Sequence, residues 1–254
     1  MPNCCFMLKR ERQAFILKQI NLHNRVLSSD LSTEMQVSED TIRRDLMELS
    51  NTDKLIKVHG GALSKSFHSS FLREDIYQLD AKKIIANKAL NLIKDGMFVL
   101  TSGGTTIIEL ARILPPELKA TFFTGSIPAA YEYAKHPNIE VIFIGDKISK
   151  GSQITVGGEA IMKINSIKPD LCLLGVNAID LTNGVTDNDW DVVQVKKAMV
   201  EAASKTAVLT ITEKMNTCQK LKICEINQVA YLITEMDHQA DLFKAYANTG
   251  IEIL

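Results

Sequence analysis

The chain has only five cysteines in 254 residues, Cys4, Cys5, Cys172, Cys218 and Cys224, and an odd number excludes a fully paired disulfide framework. None stands at a metal-ligand spacing from a histidine, so free thiols are expected, with no metal site and no cofactor. Long apolar runs are missing too. No stretch reaches the roughly 18 to 20 residues that span a bilayer, and the opening MPNCCFMLKRER holds no cleavable apolar core. No membrane partner is therefore expected, and the expected location is the cytoplasm. Internal repeats and low-complexity tracts are absent. Positive charge is not in excess: 29 Lys and Arg face 30 Asp and Glu, a formal net charge of −1, so no global basic field marks the chain. The balance is uneven, with ten basic against eight acidic residues through Lys65 and nineteen against twenty-two afterwards.

What is present is a chain that is 46% hydrophobic and 23% charged, long enough for a substantial core and for two domains. The reading predicts an N-terminal domain over residues 1–63, a polar, hydroxyl-rich linker over 64–80 (SKSFHSS at its start) and an α/β domain over 81–254.

The segment VSEDTIRRDLMEL (Val37 to Leu49) predicts a helix capped by Ser38, with Glu39 and Asp40 in a first turn where the helix dipole favours negative charge. Ile42, Leu46 and Leu49 form an inward stripe, which leaves Thr41, Arg43, Arg44 and Met47 on the outer surface. Two guanidiniums and a hydroxyl near the start of a helix suit a DNA major groove, where Arg forks onto guanine edges or phosphates. Upstream, Arg12 to Asn21 has helical spacing, and SSDLSTEM (Ser28 to Met35) reads as a second short helix with Ser28 as its cap. Gln36 and Val37 supply the turn. KLIKVHGGAL (Lys54 to Leu63) alternates and meets Gly60 and Gly61, as a hairpin wing would, placing Lys57 and His59 near phosphates. The candidate DNA-contacting residues are Ser28, Ser38, Asp40, Thr41, Arg43, Arg44, Lys57, His59 and Gly60.

On these residues the chain resembles the DeoR family of bacterial transcription regulators, whose winged helix-turn-helix carries an S-x-x-T-I-R-R-D-L core and ends in H-G-G-A. Ser38, Thr41, Ile42, Arg43, Arg44, Asp45 and Leu46 match the first pattern, and His59, Gly60, Gly61 and Ala62 the second.

After SKSFHSS, Phe71 to Ile93 has the spacing of one or two helices. Strand-like and helix-like pieces then alternate. MFVLT (Met97 to Thr101), ATFFT (Ala120 to Thr124), IEVIFIG (Ile139 to Gly145), DLCLLGV (Asp170 to Val176), TAVLTI (Thr206 to Ile211) and VAYLIT (Val229 to Thr234) read as strands. Helices are expected at about Thr106 to Leu114, Ile127 to Lys135, Val192 to Ser204 and His238 to Ala247. The pattern predicts a mostly parallel sheet with helices on both faces, whose ligands gather at the carboxyl ends of strands. Two such ends are rich in glycine and hydroxyls: Ser102, Gly103, Gly104, Thr105 and Thr106, and Thr124, Gly125 and Ser126. Either could be a plain β-to-α turn; as a pair they suggest an anion cradle.

Over about residues 80 to 235 the chain looks like the family's C-terminal sensor domain, similar in fold to ribose-5-phosphate isomerase, which generally binds a phosphorylated sugar or related metabolite. The resemblance aligns Gly104, Thr105 and Thr106 with the family's G-T-T turn, GVNAID (Gly175 to Asp180) with its G-x-x-x-I-D segment, and Lys196 and Lys214 with its two recurring lysines. Asp191 falls where the family often has glutamate, in an acidic loop with Asp187, Asp189 and Trp190, the alternative being a solvated turn around one packed Trp. Ser102 and Gly103 stand where Asp-Ser is common, Gly125 where Asn is, and Ile211 where many members carry an aspartate.

The resemblance implies a transcription regulator without enzymatic activity, a repressor of carbohydrate catabolism genes acting as a homodimer or homotetramer on operator DNA and released by a phosphorylated sugar. Two alternatives stay open: a sugar-phosphate isomerase-like enzyme with a DNA-binding appendage, and a ligand-independent DNA-binding regulator.

Overall fold

The computed structural model describes residues 7–65, 76–246 and 248–254. The chain divides into two compact units, Met1–Tyr77 and Gln78–Leu254.

In the first unit α1 (Lys9–His23), β1 (Arg25–Leu27), α2 (Ser28–Met35) and α3 (Glu39–Asn51) precede the hairpin β2 (Ile56–Val58) and β3 (Gly61–Leu63). Ile16 and Ile20 of α1, Leu31 of α2, and Ile42, Leu46 and Leu49 of α3 close around Val26, Leu55 and Ala62. Each such aliphatic side chain contributes roughly 1.5–3 kcal/mol on burial, which holds helices too short to persist alone. α3 begins as expected: the Ser38 hydroxyl accepts the Thr41 amide at 3.3 Å. Gln36 ends α2 in the left-handed conformation, φ 54. Val58 pairs with Gly61, so His59 and Gly60 form a two-residue turn, with Gly60 at φ 75.

Three features differ from the expectation. A third strand, β1, pairs with β3, and a Cβ on Gly61 would lie 2.0 Å from the Val26 carbonyl oxygen; a glycine is required there. Ser28 does not cap α2. Leu27 holds that position, while Ser28 is the first helical residue, 4% exposed, with its amide on the Gly60 carbonyl at 2.8 Å. Ser64, expected to open the linker, is fully buried, and its amide donates to Asn24. Residues 66–75, most of that linker and the start of the stretch from Phe71, lie outside the described residues.

The second unit starts with α4 (Leu79–Leu90), then β4 (Phe98–Thr101), α5 (Thr105–Arg112), β5 (Thr121–Thr124), α6 (Ile127–Tyr133) and β6 (Glu140–Phe143). There follow β7 (Lys147–Ser149), β8 (Ile154–Val156), α7 (Gly158–Asn165), β9 (Leu171–Gly175), β10 (Ala178–Asp180), β11 (Gly184–Asp187), α8 (Trp190–Ala202), β12 (Thr206–Leu209), β13 (Leu221–Cys224), β14 (Tyr231–Ile233) and β15 (Glu252–Ile253). Seven strands form one sheet in the order β15-β14-β12-β9-β4-β5-β6, every pair parallel. Successive side chains alternate faces. Leu100, Cys172, Leu174, Val208 and Leu232 pack with Ala160 and Ile164 of α7 and Val195 and Met199 of α8. Val99, Phe122, Leu173 and Ala207 are buried on the other face, where the Phe122 ring meets Tyr133 of α6 at 4.7 Å.

The chain lays down β4, β5 and β6 in one direction and then returns to place β9 on the far side of β4. The strand order therefore reverses between β4 and β9, the position where open parallel sheets leave a crevice beyond their strand ends. A small antiparallel sheet, β10-β11-β13, and the hairpin β7–β8 add to the main sheet. The helix expected from His238 is instead a 3-10 helix, Asp241–Tyr246. Phe243 and Tyr246 are its two buried aromatics, and at three residues per turn they lie one above the other. Among the described residues no helix is long and apolar enough to cross a membrane.

Candidate functional sites

The outer surface of α3 carries Asp40, Arg43, Arg44 and Met47 exposed and Thr41 half-buried. The two arginines differ. The Arg43 guanidinium turns back onto its own helix, 3.2 Å from Asp40 Oδ1 and 3.2 Å from Glu39 Oε2. Arg44 has no ion pair among the described residues, so its five donors face solvent. Lys57, His59 and Gly60 are exposed on the wing. Ser28 faces the interior and is not part of this surface.

The helix is held at its base by charges whose role the sequence did not reveal. Asp45, 2% exposed, forms an ion pair with Arg12 of α1 and accepts from Gln13 Nε2 at 3.4 Å. One turn on, Glu48 is met by Lys9 at 2.7 Å and Gln13 at 2.9 Å; these hydrogen bonds lower its pKa. Asp45 keeps the Arg12 guanidinium charged more firmly than usual, through their hydrogen bond first.

In the second unit, Ser102 ties the two strands at the reversal point: its hydroxyl accepts the Gly175 amide at 2.8 Å and its own amide donates to Leu173 at 3.1 Å. Gly175 fits only without a side chain, since a Cβ would stand 2.8 Å from the Gly103 carbonyl oxygen. Gly104, at φ 116, starts α5 without any side-chain cap, and Thr105 and Thr106 form its first turn. The first amides of a helix have no intrahelical acceptor, which makes this end an anion-seeking one.

The other hydroxyl-rich turn is closed. Thr124 Oγ1 donates to the Thr101 carbonyl and accepts the Ser126 amide, while the Ser126 hydroxyl caps α6. The β7–β8 hairpin lies across it, with the Thr155 amide on the Gly125 carbonyl and the Ile127 amide on Gln153. Both hydroxyls are thus spent on backbone, and Thr124 and Ser126 are 0% and 1% exposed. A cavity beside the turn is lined largely by Leu100, Ile144, Ile154, Ile164, Val195 and Met199.

Three lysines converge by the carboxyl end of β9. Lys214, in the 3-10 turn Thr212–Lys214, donates to the Val176 carbonyl at 3.0 Å. Burial, reinforced by the neighbouring cations of Lys82 and Lys196 and opposed by Asp187, lowers its pKa to about 7. Lys82 of α4 is 8% exposed; burial lowers it to about 8 against the pull of Glu109. Lys196 of α8 pairs with Asp187 at 2.8 Å. Asp187 also accepts Asn177 Nδ2 and the Asn188 amide, both at 2.7 Å, and despite burial its pKa is lowered, chiefly by Lys196. Glu109 is engaged by Arg112, which also bonds Glu132 at 3.0 Å. Lys82, Asn177 and Glu109 had no signal in the sequence beyond residue type. Asp191 is exposed and pairs with Lys147 of β7 at 3.4 Å, and Trp190, which the solvated-turn alternative would pack, is 64% exposed.

Residues 77–236 match the model of the DeoR C terminal sensor domain, and residues 12–67 that of the DeoR-like helix-turn-helix domain. The chain belongs to the DeoR family. It is a DNA-binding transcription regulator with a sensor domain, and its α3 and wing are the helix-turn-helix elements of that family. It is 30% identical to the uncharacterized HTH-type transcriptional regulator YulB of Bacillus subtilis (strain 168), over 97% of this chain and 96% of that one. It is 28% identical to the glycerol-3-phosphate regulon repressor of Haemophilus influenzae (strain ATCC 51907 / DSM 11121 / KW20 / Rd), over 88% of each. A structure of D-ribose-5-phosphate isomerase in complex with phospho-erythronic acid covers 53% of this chain and 52% of its own at a TM-score of 0.38 and 19% identity.

Proposed function

We propose that this DeoR-family regulator is a repressor of carbohydrate or polyol-phosphate genes, released from its operator when a phosphorylated sugar or related metabolite enters the crevice between the ends of β4 and β9. The observation that carries this reading is the cluster of Lys82, Lys196 and Lys214, with Asp187 paired to Lys196 and Glu109 shared between Lys82 and Arg112, near the uncapped start of α5. Lys214, buried beside two other cations, has its pKa lowered to about 7, so an anion that joins it favours its charged form. A phosphate dianion would supply it, with amides of Gly104, Thr105 and Thr106 completing the cradle. Ser102, Gly103 and Gly175 would shape the floor. The closed turn at Thr124, Gly125 and Ser126 and the solvent-facing Asp191 are left out of the contact set.

The role is binding without turnover. A sugar-phosphate isomerase needs a base free to move a proton at carbon, and Asp187 is already held by Lys196, Asn177 and the Asn188 amide. On DNA, Arg44 would read bases, with Lys57, His59 and Gly60 on phosphates. A single winged module buries only about 600–1,000 Å², so the second unit is assigned the oligomerisation that sets two heads about 34 Å apart or a multiple of it. The effector would favour an arrangement that misplaces the heads, a coupling of about 1–3 kcal/mol.

The test is operator affinity at fixed salt, with operators taken from a genome-wide map of bound sites, titrated with a panel of phosphorylated sugars and polyols. Weakening by one panel member, abolished by Lys214→Ala, is expected. Binding that tightens would make the protein an activator, binding unmoved by every member would leave a ligand-independent regulator, and isomerase turnover by the full chain would make it an enzyme.

A further inference from the structure

The sensor unit begins at Gln78, and that residue is tied to the turn that carries Lys214. Gln78 Nε2 donates to Glu213 Oε1 at 2.8 Å, and Glu213 immediately precedes Lys214 in the Thr212–Lys214 turn. Glu235 anchors the same turn from β14's end, accepting the Thr212 amide at 3.0 Å. Gln78 itself has φ 52 and ψ 45, a left-handed conformation that glutamine rarely adopts, so the chain bends sharply where it enters α4. Its carbonyl accepts the Lys82 amide at 3.1 Å. One residue thus touches, by side chain and by backbone, the segments that bear two of the three clustered lysines.

Resting on the effector reading above, we propose that the Gln78–Glu213 hydrogen bond is the clasp that relays occupancy of the lysine cluster to the junction between the two units. Glu213 and Gln78 are positioning residues; neither contacts the anion. An anion that draws Lys214 and Lys82 together sets the 3-10 turn and the first turn of α4 in one arrangement, and the clasp fixes the bend at Gln78, where the second unit begins. Bending by a left-handed residue under side-chain control is a two-state element of the kind that coupling needs. Without the clasp, ligand would bind as before and the junction would not register it.

The donor and acceptor can be exchanged, which gives a clean test. Gln78→Glu sets two carboxylates against each other and opens the clasp; Gln78→Glu with Glu213→Gln restores it with the roles reversed. Hydrogen exchange is followed in the full chain over residues 76–86 and 211–216, with and without glycerol 3-phosphate as the probe. In the unaltered protein the probe is expected to slow both segments at least threefold. In Gln78→Glu it is expected to slow 211–216 alone, and in the double variant both again. Protection of both segments in Gln78→Glu, or no recovery in the double variant, overturns the proposal. If the probe changes nothing at 211–216 in the unaltered protein, the effector reading fails for that ligand, and the clasp is judged ligand-free: residues 76–86 must exchange at least threefold faster in Gln78→Glu and recover in the double variant, and equal rates overturn it.

Discussion

Lys196 and Asp187 form an ion pair with Nζ and Oδ2 2.8 Å apart and side chains 8% and 3% exposed. Removing one member of so buried a pair strands the other, which typically costs about 3–5 kcal/mol. Asp187→Ala is expected to lower the stability of the sensor unit by that order and to lower the pKa of Lys214 further, since Asp187 opposes that shift. Urea unfolding of the full chain, followed by the fluorescence of Trp190, the single tryptophan, reads it. A loss under 1 kcal/mol would show that water reaches the pair.

The pH dependence of ligand binding has a definite sign. Lys214 has its pKa lowered from 10.5 to about 7, so in the free protein it loses its charge as pH rises past neutrality. A phosphate monoester becomes a dianion only above about pH 6. Affinity is therefore expected to peak between about pH 6 and 7 and to fall on both sides, and Lys214→Arg, which cannot deprotonate, should shift the alkaline fall to the titration of Lys82 at about 8. Calorimetric titration across pH 5.5–9 with a phosphate monoester checks this. For stability the same group works the other way. Folding disfavours its proton, so this cost is fully present below about pH 7 and is relieved as pH climbs toward 10.5.

Arg43 and Arg44 are neighbours in sequence with different expected roles. Arg44→Ala should weaken operator binding by about 1–3 kcal/mol, roughly 5- to 150-fold, and scrambled DNA far less, because a bidentate base contact is lost. Arg43→Ala, which removes a guanidinium already paired with Glu39 and Asp40, should cost less and do so on both duplexes. Fluorescence anisotropy at two salt concentrations separates them; equal losses for Arg44→Ala on the two duplexes would make it a phosphate contact.

Gly60 and Gly61 are also predicted to part. Gly60→Ala meets open space and faces only its positive φ, worth about 1 kcal/mol. Gly61→Ala drives a methyl into the Val26 carbonyl, and the β1–β3 pairing must open. Its cost is expected to exceed about 2 kcal/mol. Thermal melting of the two variants, with operator binding measured alongside, ranks them; the reverse order would contradict the three-stranded wing.

The strong signals in the sequence were those with a local cause. Ser38 as a cap, the Ile42, Leu46 and Leu49 stripe and the turn at His59 and Gly60 all depend on residues within a few positions of one another. Five of the six apolar segments of the main sheet were readable because their strands are largely buried on both faces, whereas IEVIFIG, the exposed edge strand β6, was legible from its β-branched and aromatic residues alone. What escaped was short or distant. β1, β7 and β8 are three residues each, too brief for any period, and β7–β8 is what closes the turn at Thr124, Gly125 and Ser126. Asp45 reads as part of a polar helix face until Arg12, a full helix away, covers it. Lys82 looks like any lysine of an amphipathic helix, since nothing nearby in sequence announces that Lys214 and Glu109 will surround it. Lys196 and Lys214 were reached through resemblance; spacing alone offered nothing.

The return of the chain from β6 to β9 has a consequence for when the protein can sense anything. Lys82 precedes that return and Lys196 and Lys214 follow it, from opposite ends of the unit's sequence. A nascent chain carries three ordinary ammonium groups, and the cluster proposed to hold the effector exists only once the strands that follow β6 are in place.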